Sequence, residues 1–444
     1  MLVTQGKKVM FGTKSKPPYL QSSFAKTCFT FCFLLVMGFF PACSGRGCQG
    51  SQSRHSSTQT PQKKSKSCQL TKILGVAPKV GRACRYHQQC VRSSKGRLAW
   101  ARCAYGVCLL AQGSPEKAHQ AGVLALAFVS KDHLVSGAKD GEIRIWDLRT
   151  GKTVQRWLAH KKGVLTVTSY AKKYLFTAGV DQVIRMWELS HKGKNLEKRR
   201  LVKRWEVKGR ISRIAISPDG KWLAAASSKR KIWFGAVESD DLVTWSGHQD
   251  VVRSVVFSPD GNLLLSASDD RSIGLWAVPL GRLKARLWGH EGWVRRAIFS
   301  KGSKTRVISA SFDQTIRIWD TSGTCLEQWG RSVDTFRGVV KSKVPKGKML
   351  RPQKHRTKGH KSDVSDLAMD TKGRWLLSTG HRGSPLEPSD DGMTARLWQW
   401  PSGKLACHLK GHVLGLSGGA FSPDGTLFAT ASLDGTIRVY RVGH

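Results

Sequence analysis

From about residue 117 onward, apolar and polar residues alternate in short runs separated by turn residues, as in "DVVRSVVF" (250–257) followed by Pro-Asp-Gly and "NLLLSAS". A period of two is that of a half-buried strand, not a helix. The phrase "SPDG" stands at 217–220, 258–261 and 422–425. Its proline fixes one backbone angle and its glycine tolerates positive φ, so each copy predicts a hairpin turn. The runs that close each unit end on Trp146, Trp187, Trp276, Trp319, Trp398 and Tyr440; the first spacing is 41, that from Trp276 to Trp319 is 43 and the last is 42. The 89 residues between Trp187 and Trp276 leave room for one more unit at 207–237, where "KWLAAASSKRKIWFGAV" overlays "NLLLSASDDRSIGLWAV" without a gap. Seven units result. One small antiparallel sheet cannot cover both its faces, but stacking against neighbours does so. Closing seven into a ring leaves no unpaired end.

A second periodicity carries polar residues. Six positions before the closing aromatic stand Asp140, Asp181, Asp270, Asp313 and Asp434, and four before those stand Ser136, Thr177, Ser266, Ser309 and Thr430. About twenty residues further back come His119, His160, His248, His290 and His412. An imidazole, a carboxylate, a hydroxyl and an indole brought together satisfy one another's buried hydrogen-bonding groups. The pattern, with its "GH" and "WD" pairs (Trp146-Asp147, Trp319-Asp320), resembles the tetrad of WD-repeat propellers over about 117–442. The resemblance implies an all-β, seven-bladed propeller that serves as a non-catalytic binding scaffold.

Unit three has Gly209, Ala225, Lys229 and Gly235 at the four tetrad positions, and their joint loss fits a coupled network. A lone survivor would be buried without a partner at about 1–3 kcal/mol. Unit six keeps His360, Ser378 and Trp398, with Asp391 one position early, an offset that a bulge would absorb. Six of the fourteen histidines are thereby structural. "GLSGG" (415–419) matches the hydrolase string G-x-S-x-G, yet Ser417 falls within a first strand and not on a strand-to-helix elbow. The sequence calls for no cofactor, metal or catalytic residue. An enzyme would need a site built from loops that the sequence does not advertise.

Composition divides the chain. Nine of eleven cysteines lie before residue 110. Lys7, Lys8, Lys14, Lys16 and Lys26 precede "TCFTFCFLLVMGFFPAC" (27–43), whose apolar run of about 14 residues falls short of the roughly 20 needed to cross a bilayer. Charge followed by a short apolar run is the layout of a secretory signal. Phe40-Pro41-Ala42-Cys43 resembles a bacterial lipoprotein processing site, although leucine usually stands where Phe40 does. It implies removal of 1–42, acylation of Cys43, and a membrane-anchored protein of the cell envelope; plain secretion and an uncleaved anchor stay open. Residues 43–67, rich in Ser, Gln, Gly and Lys, are expected to be a disordered basic tether. In 68–110, Cys84, Cys90, Cys103 and Cys108 suggest a disulfide-rich module; four cysteines permit three pairings, and Cys48 and Cys68 raise that to fifteen. Zinc is the weaker reading without a C-x-x-C pair.

The propeller is then assigned 111–444. Its last unit has only three strands, so the fourth is expected from upstream of His119, with "GVCLLA" (106–111) as the candidate.

Net charge is +44, which predicts affinity for polyanions. An insert between Trp329 and His360 holds ten basic residues between Arg331 and Lys358 against Asp334 alone; Arg337, Lys341, Lys343, Lys346, Lys348 and Arg351 are its candidate binding residues. A second insert, "HRGSPLEP" (381–388), should emerge beside it. On unit five, Trp293 and Phe312 stand where sister units have Gly163 or Lys139. Aromatics beside cations suit phosphate-bearing ligands, but a solvated loop reads equally well. A basic run at 192–204 falls on the opposite face, so charge alone does not locate a site. The readings that follow are a monomeric lipid-anchored propeller binding a protein partner or an acidic envelope polymer, and a cytosolic propeller binding nucleic acid.

Overall fold

The computed structural model describes residues 68–74, 79–83, 101–104, 107–110, 119, 121–192, 195–302, 304–330, 354–356, 359–381 and 393–442. Seven antiparallel sheets follow one another, each built outward from an innermost strand: Val123–Phe128, Val164–Tyr170, Ile211–Ile216, Val252–Phe257, Val294–Phe299, Val364–Met369 and Leu416–Phe421. We number the blades 1 to 7 in that order. Each apolar cluster is shared by two neighbours. Val135 and Ile143 of blade 1, for instance, pack with Val164, Leu175 and Trp187 of blade 2. Stacking of incomplete sheets, inferred from the alternation, is therefore how the core is made. Among the described residues no helix is long and apolar enough to cross a membrane.

The repeated turn is stabilised locally. Ser217 donates to Asp219 at 2.5 Å and accepts the Trp222 amide at 2.9 Å, while Gly220 sits at φ 78°. Ser422, Asp424 and Leu427 repeat those bonds.

The closing strand differs from the expected one. Cys68–Leu74 pairs antiparallel with Ile437–Val442 and completes blade 7. Val107–Leu110, within the expected "GVCLLA", pairs instead with Ala101–Ala104 and Lys79–Ala83 in a separate three-stranded sheet. A two-residue link joins it to Ala101–Ala104, so the local hairpin partner outcompetes a distant edge. The ring thus draws on residues that a boundary at 111 assigns to the cysteine-rich module. Blade 7 meets blade 1 through Ala429, Ile437 and Val439 against Val123, Leu134 and Trp146. Blade 5 has a fifth strand, Lys354–Arg356, parallel to Cys325–Trp329.

Candidate functional site

The repeated polar residues converge within blades. In blade 4, His248 places Nδ1 2.7 Å from Asp270 and Nε2 2.7 Å from Ser266, whose Oγ also accepts Trp276 Nε1–H at 2.7 Å. Blade 5 repeats this with His290, Asp313, Ser309 and Trp319 at 2.7–2.8 Å. Blade 2 does so with His160, Asp181, Thr177 and Trp187 at 2.8–3.0 Å. In blade 1, His119 contacts Ser136 at 2.8 Å and Asp140 at a longer 3.3 Å, and Trp146 donates to Ser136. In blade 7, His412 contacts Asp434 at 3.1 Å and Thr430 at 2.9 Å, and Tyr440 stands at the closing position. Blade 6 shows His360 and Trp398 on Ser378 at 2.7 and 2.8 Å; Asp391 lies outside the described residues.

A proton on Nδ1 lets each imidazole donate to its carboxylate and accept from its hydroxyl, leaving the hydroxyl oxygen for the indole. Burial pushes the Asp270 and Asp434 carboxyls up, but the bonds and charges of His248 and His412, with hydroxyl and amide donors, outweigh it and hold both at about 2. Asp313 is lowered further. Burial lowers His160 and His290. Blade 3 substitutes an apolar solution. Ala225 is wholly buried, and Phe234 stacks on Trp222 and Trp245 at 5.1 and 4.2 Å.

On the face carrying the tetrad loops, one backbone bond recurs in all seven blades. Lys139, Val180, Ser228, Asp269, Phe312, His381 and Leu433 each donate an amide to Gly122, Gly163, Arg210, Val251, Trp293, Asp363 and Gly415 respectively, at 2.9–3.1 Å. Blades 1, 2 and 7 have glycine as the acceptor. Blade 5 presents Trp293 and Phe312, whose rings lie 5.5 Å apart. Phe312 stacks on His381 of blade 6 at 6.4 Å. Arg295 lies 4.8 Å over Phe312, and Arg253 of blade 4 lies 5.9 Å from Trp293 while its guanidinium clasps Asp269. The aromatic pair proposed from sequence is thus embedded among cations of blades 4 and 5.

The site continues inward through residues that sequence reading missed. Directly after a bulge, the innermost strands carry Ala125, Thr166, Arg213, Ser254, Arg296, Asp366 and Gly418 at one level. Asp366 accepts Arg213 Nη2 at 3.1 Å and the Gly419 amide at 3.3 Å and forms an ion pair with Arg296, whose Nε lies 3.3 Å away and donates to the Leu367 carbonyl, so blades 3, 5 and 7 meet on one blade-6 carboxylate. Gly418 makes room: a Cβ there would lie 2.7 Å from Asp366 Oδ2. The signal was present as charge at a position that sister repeats fill with Ala, Thr, Ser or Gly. Nothing local marks such a strand position as facing a channel.

Arg337, Lys341, Lys343, Lys346, Lys348 and Arg351, together with Cys43, Cys84 and Cys90, lie outside the described residues. Cys103 and Cys108 are facing register partners. Cys325 is free and buried, its thiol pushed up to about 11 by burial, whereas Cys407 is disulfide-bonded. Ser417 donates to the Val123 carbonyl at 2.7 Å, a seam contact between blades 7 and 1. His119, Asp140 and Glu142 bring ligand atoms within 4.8 Å of one another, but Ser136 holds His119 and Arg144 holds Glu142. The opposite face has a groove of about 1320 Å³ whose lining includes Lys131, Lys172, Lys198, Arg199 and Arg200.

Seven segments match the family described as WD domain, G-beta repeat: 114–147, 151–188, 200–234, 239–277, 281–320, 351–399 and 403–441. The chain is 28% identical over 170 residues to a guanine nucleotide-binding protein subunit beta of Oryza sativa subsp. japonica, covering 38% of this chain and 36% of that protein. It is 28% identical over 245 residues to the nuclear distribution protein nudF of Emericella nidulans, covering 50% and 43%. It is also 28% identical over 227 residues to the human serine-threonine kinase receptor-associated protein, covering 49% and 62%. The chain therefore spans between about a third and just under two thirds of these relatives.

Proposed function

This chain belongs to the WD40, G-beta repeat family, and we propose that it is a non-catalytic platform that binds a protein partner through the rim of blades 4 to 6 on the tetrad-loop face. The observation that carries this reading is the Trp293–Phe312 pair, placed where three sister blades have glycine as the backbone acceptor and flanked by Arg253, Arg295 and His381. Aromatic and arginine side chains in a partly desolvated cluster are the residue types that dominate protein interfaces. The names of the relatives, a G-protein subunit and a receptor-associated protein, accord with a binding role.

The platform is exported and anchored through an acylated Cys43. Support comes from the charged-then-apolar segment ending at Cys43 and from the disulfide at Cys407, a bond that persists in oxidising compartments.

Crosslinking in intact cells, followed by purification of wild type and of a Trp293→Ala/Phe312→Ala double variant, tests the rim. A crosslinked protein recovered with wild type and lost with the double variant supports it; equal recovery overturns it. Mass spectrometry of the mature N-terminus tests the anchor. An acylated Cys43 is expected, and an unprocessed N-terminus with reduced cysteines would return the reading to a cytosolic propeller.

A further inference from the structure

Behind the rim, arginines outnumber the carboxylates that face them: Arg213, Arg253, Arg295 and Arg296 stand against Asp269, Asp363 and Asp366. Arg213 and Arg296 share the single carboxylate of Asp366, and Arg253 is taken by Asp269. Arg295 makes no ion pair among the described residues and rests on the Phe312 ring. Only 15% of the Arg296 side chain is accessible, and its Nη1 has no hydrogen-bond partner among the described residues. A buried guanidinium N–H left without an acceptor is costly, and native proteins rarely keep one without a reason. Burial, and then the neighbouring Arg253, draw Arg295 down to about 10; burial, and then Arg213, draw Arg296 down to about 9. Crowded cations in a sheltered place favour whatever anion can reach them.

The local backbone explains how the two arginines are presented. The register of Val294–Phe299 shifts between Val294 and Arg296, placing Arg295 on a bulge. A bulge re-aims the side chain it carries. Arg295 is thereby laid on Phe312 at the rim, while Arg296 takes the channel position equivalent to Ser254. One strand thus offers a guanidinium at the mouth and another just inside.

We propose that Arg295 and Arg296 form a carboxylate-binding site at the mouth of the channel, which receives an aspartate or glutamate side chain of the protein partner. This deepens the rim reading and rests on it. A carboxylate supplies the acceptor that Arg295 lacks and meets the accessible part of the Arg296 side chain, and the planar fork of arginine matches it in two-point geometry. The aromatic rim would grip the flanking residues of the same segment, and desolvation there strengthens the ion pair relative to open water.

The test uses N-acetyl-tetraglutamate amide as probe, titrated calorimetrically into the full chain at fixed ionic strength. One-to-one saturable binding is expected. Arg296→Gln and Arg295→Gln should each weaken it at least tenfold, whereas Arg441→Gln, on the exposed outer part of blade 7, should leave it unchanged. Should Arg296→Gln fail to fold, Arg296→Lys keeps the charge and loses the fork, and the same tenfold weakening is expected of it. Equal weakening by all three glutamine variants would mean diffuse attraction to a cationic surface and would overturn the site, as would equal affinity in wild type and variants. Recovery of the crosslinked partner separates the two readings: if the arginine variants retain it and the aromatic double variant loses it, the channel site fails while the rim stands.

Discussion

Arg213 of blade 3 reaches Asp366 of blade 6 across the centre of the ring, 3.1 Å apart in space and 153 residues apart in sequence. With Arg296 on the same carboxylate, the contact ties blade 3 to the neighbouring blades 5 and 6. Asp366→Ala should therefore leave two guanidiniums unpaired in a sheltered channel and cost about 3 kcal/mol, the scale of breaking a buried pair. Urea unfolding reads the loss. A cost under about 1 kcal/mol would show that the pair lies on the surface in energetic terms.

Ser309 accepts Trp319 Nε1–H at 2.8 Å and meets His290 at 2.7 Å. Ser309→Ala removes a shared partner from two buried groups, and a loss of about 2–3 kcal/mol is expected from the unfolding midpoint. The same position in blade 3 is Ala225, which packs in an apolar cluster and whose blade has Gly209, Lys229 and Gly235 at the other tetrad positions. Ala225→Ser should bring no gain there, although it restores the residue type of the other blades.

Acid should unfold the propeller in two stages. His160 and His290 lie below their ordinary 6.5 because of burial, so the unfolded chain takes up protons first and stability starts to fall beneath pH 6.5. Asp270 and Asp434 lie at about 2 against an ordinary 3.8. Each contributes about 2 kcal/mol that is fully present above pH 3.8 and lost as pH falls through 2. Melting temperatures from pH 7 to 2 should show both declines, and Asp270→Asn should flatten only the second.

A chain beginning at residue 64 keeps Cys68–Leu74, and one beginning at residue 76 lacks it. The second exposes the edge of Ile437–Val442. Hydrogen exchange of that strand should rise steeply in the shorter chain only, with self-association through the bare edge. Equal protection in both would mean that blade 7 does not depend on the early strand.

Much of this molecule was legible before any coordinates. The tetrads were legible because a buried polar network demands fixed residue types at fixed spacing, and repetition prints the demand many times. Trp293 and Phe312 were legible as departures from that repetition. Asp366, Arg213 and Arg296 were not, since each is a single strand residue whose meaning comes from partners far along the chain. The closing strand was misplaced because 107–110 is the more apolar run, whereas 68–74 interleaves Gln69, Thr71 and Lys72 with its apolar residues, and competition for an edge is settled by what else lies nearby.

The sequence by itself determined the number of blades, their turns and the hydrogen-bonded frame, for these follow from local periodicity and from the cost of burying unsatisfied groups. Tertiary structure decided which early strand closes the ring and which charges converge at its centre. Ring closure sets seven distant strands around one axis, and proximity of that kind depends on the geometry of the whole circle.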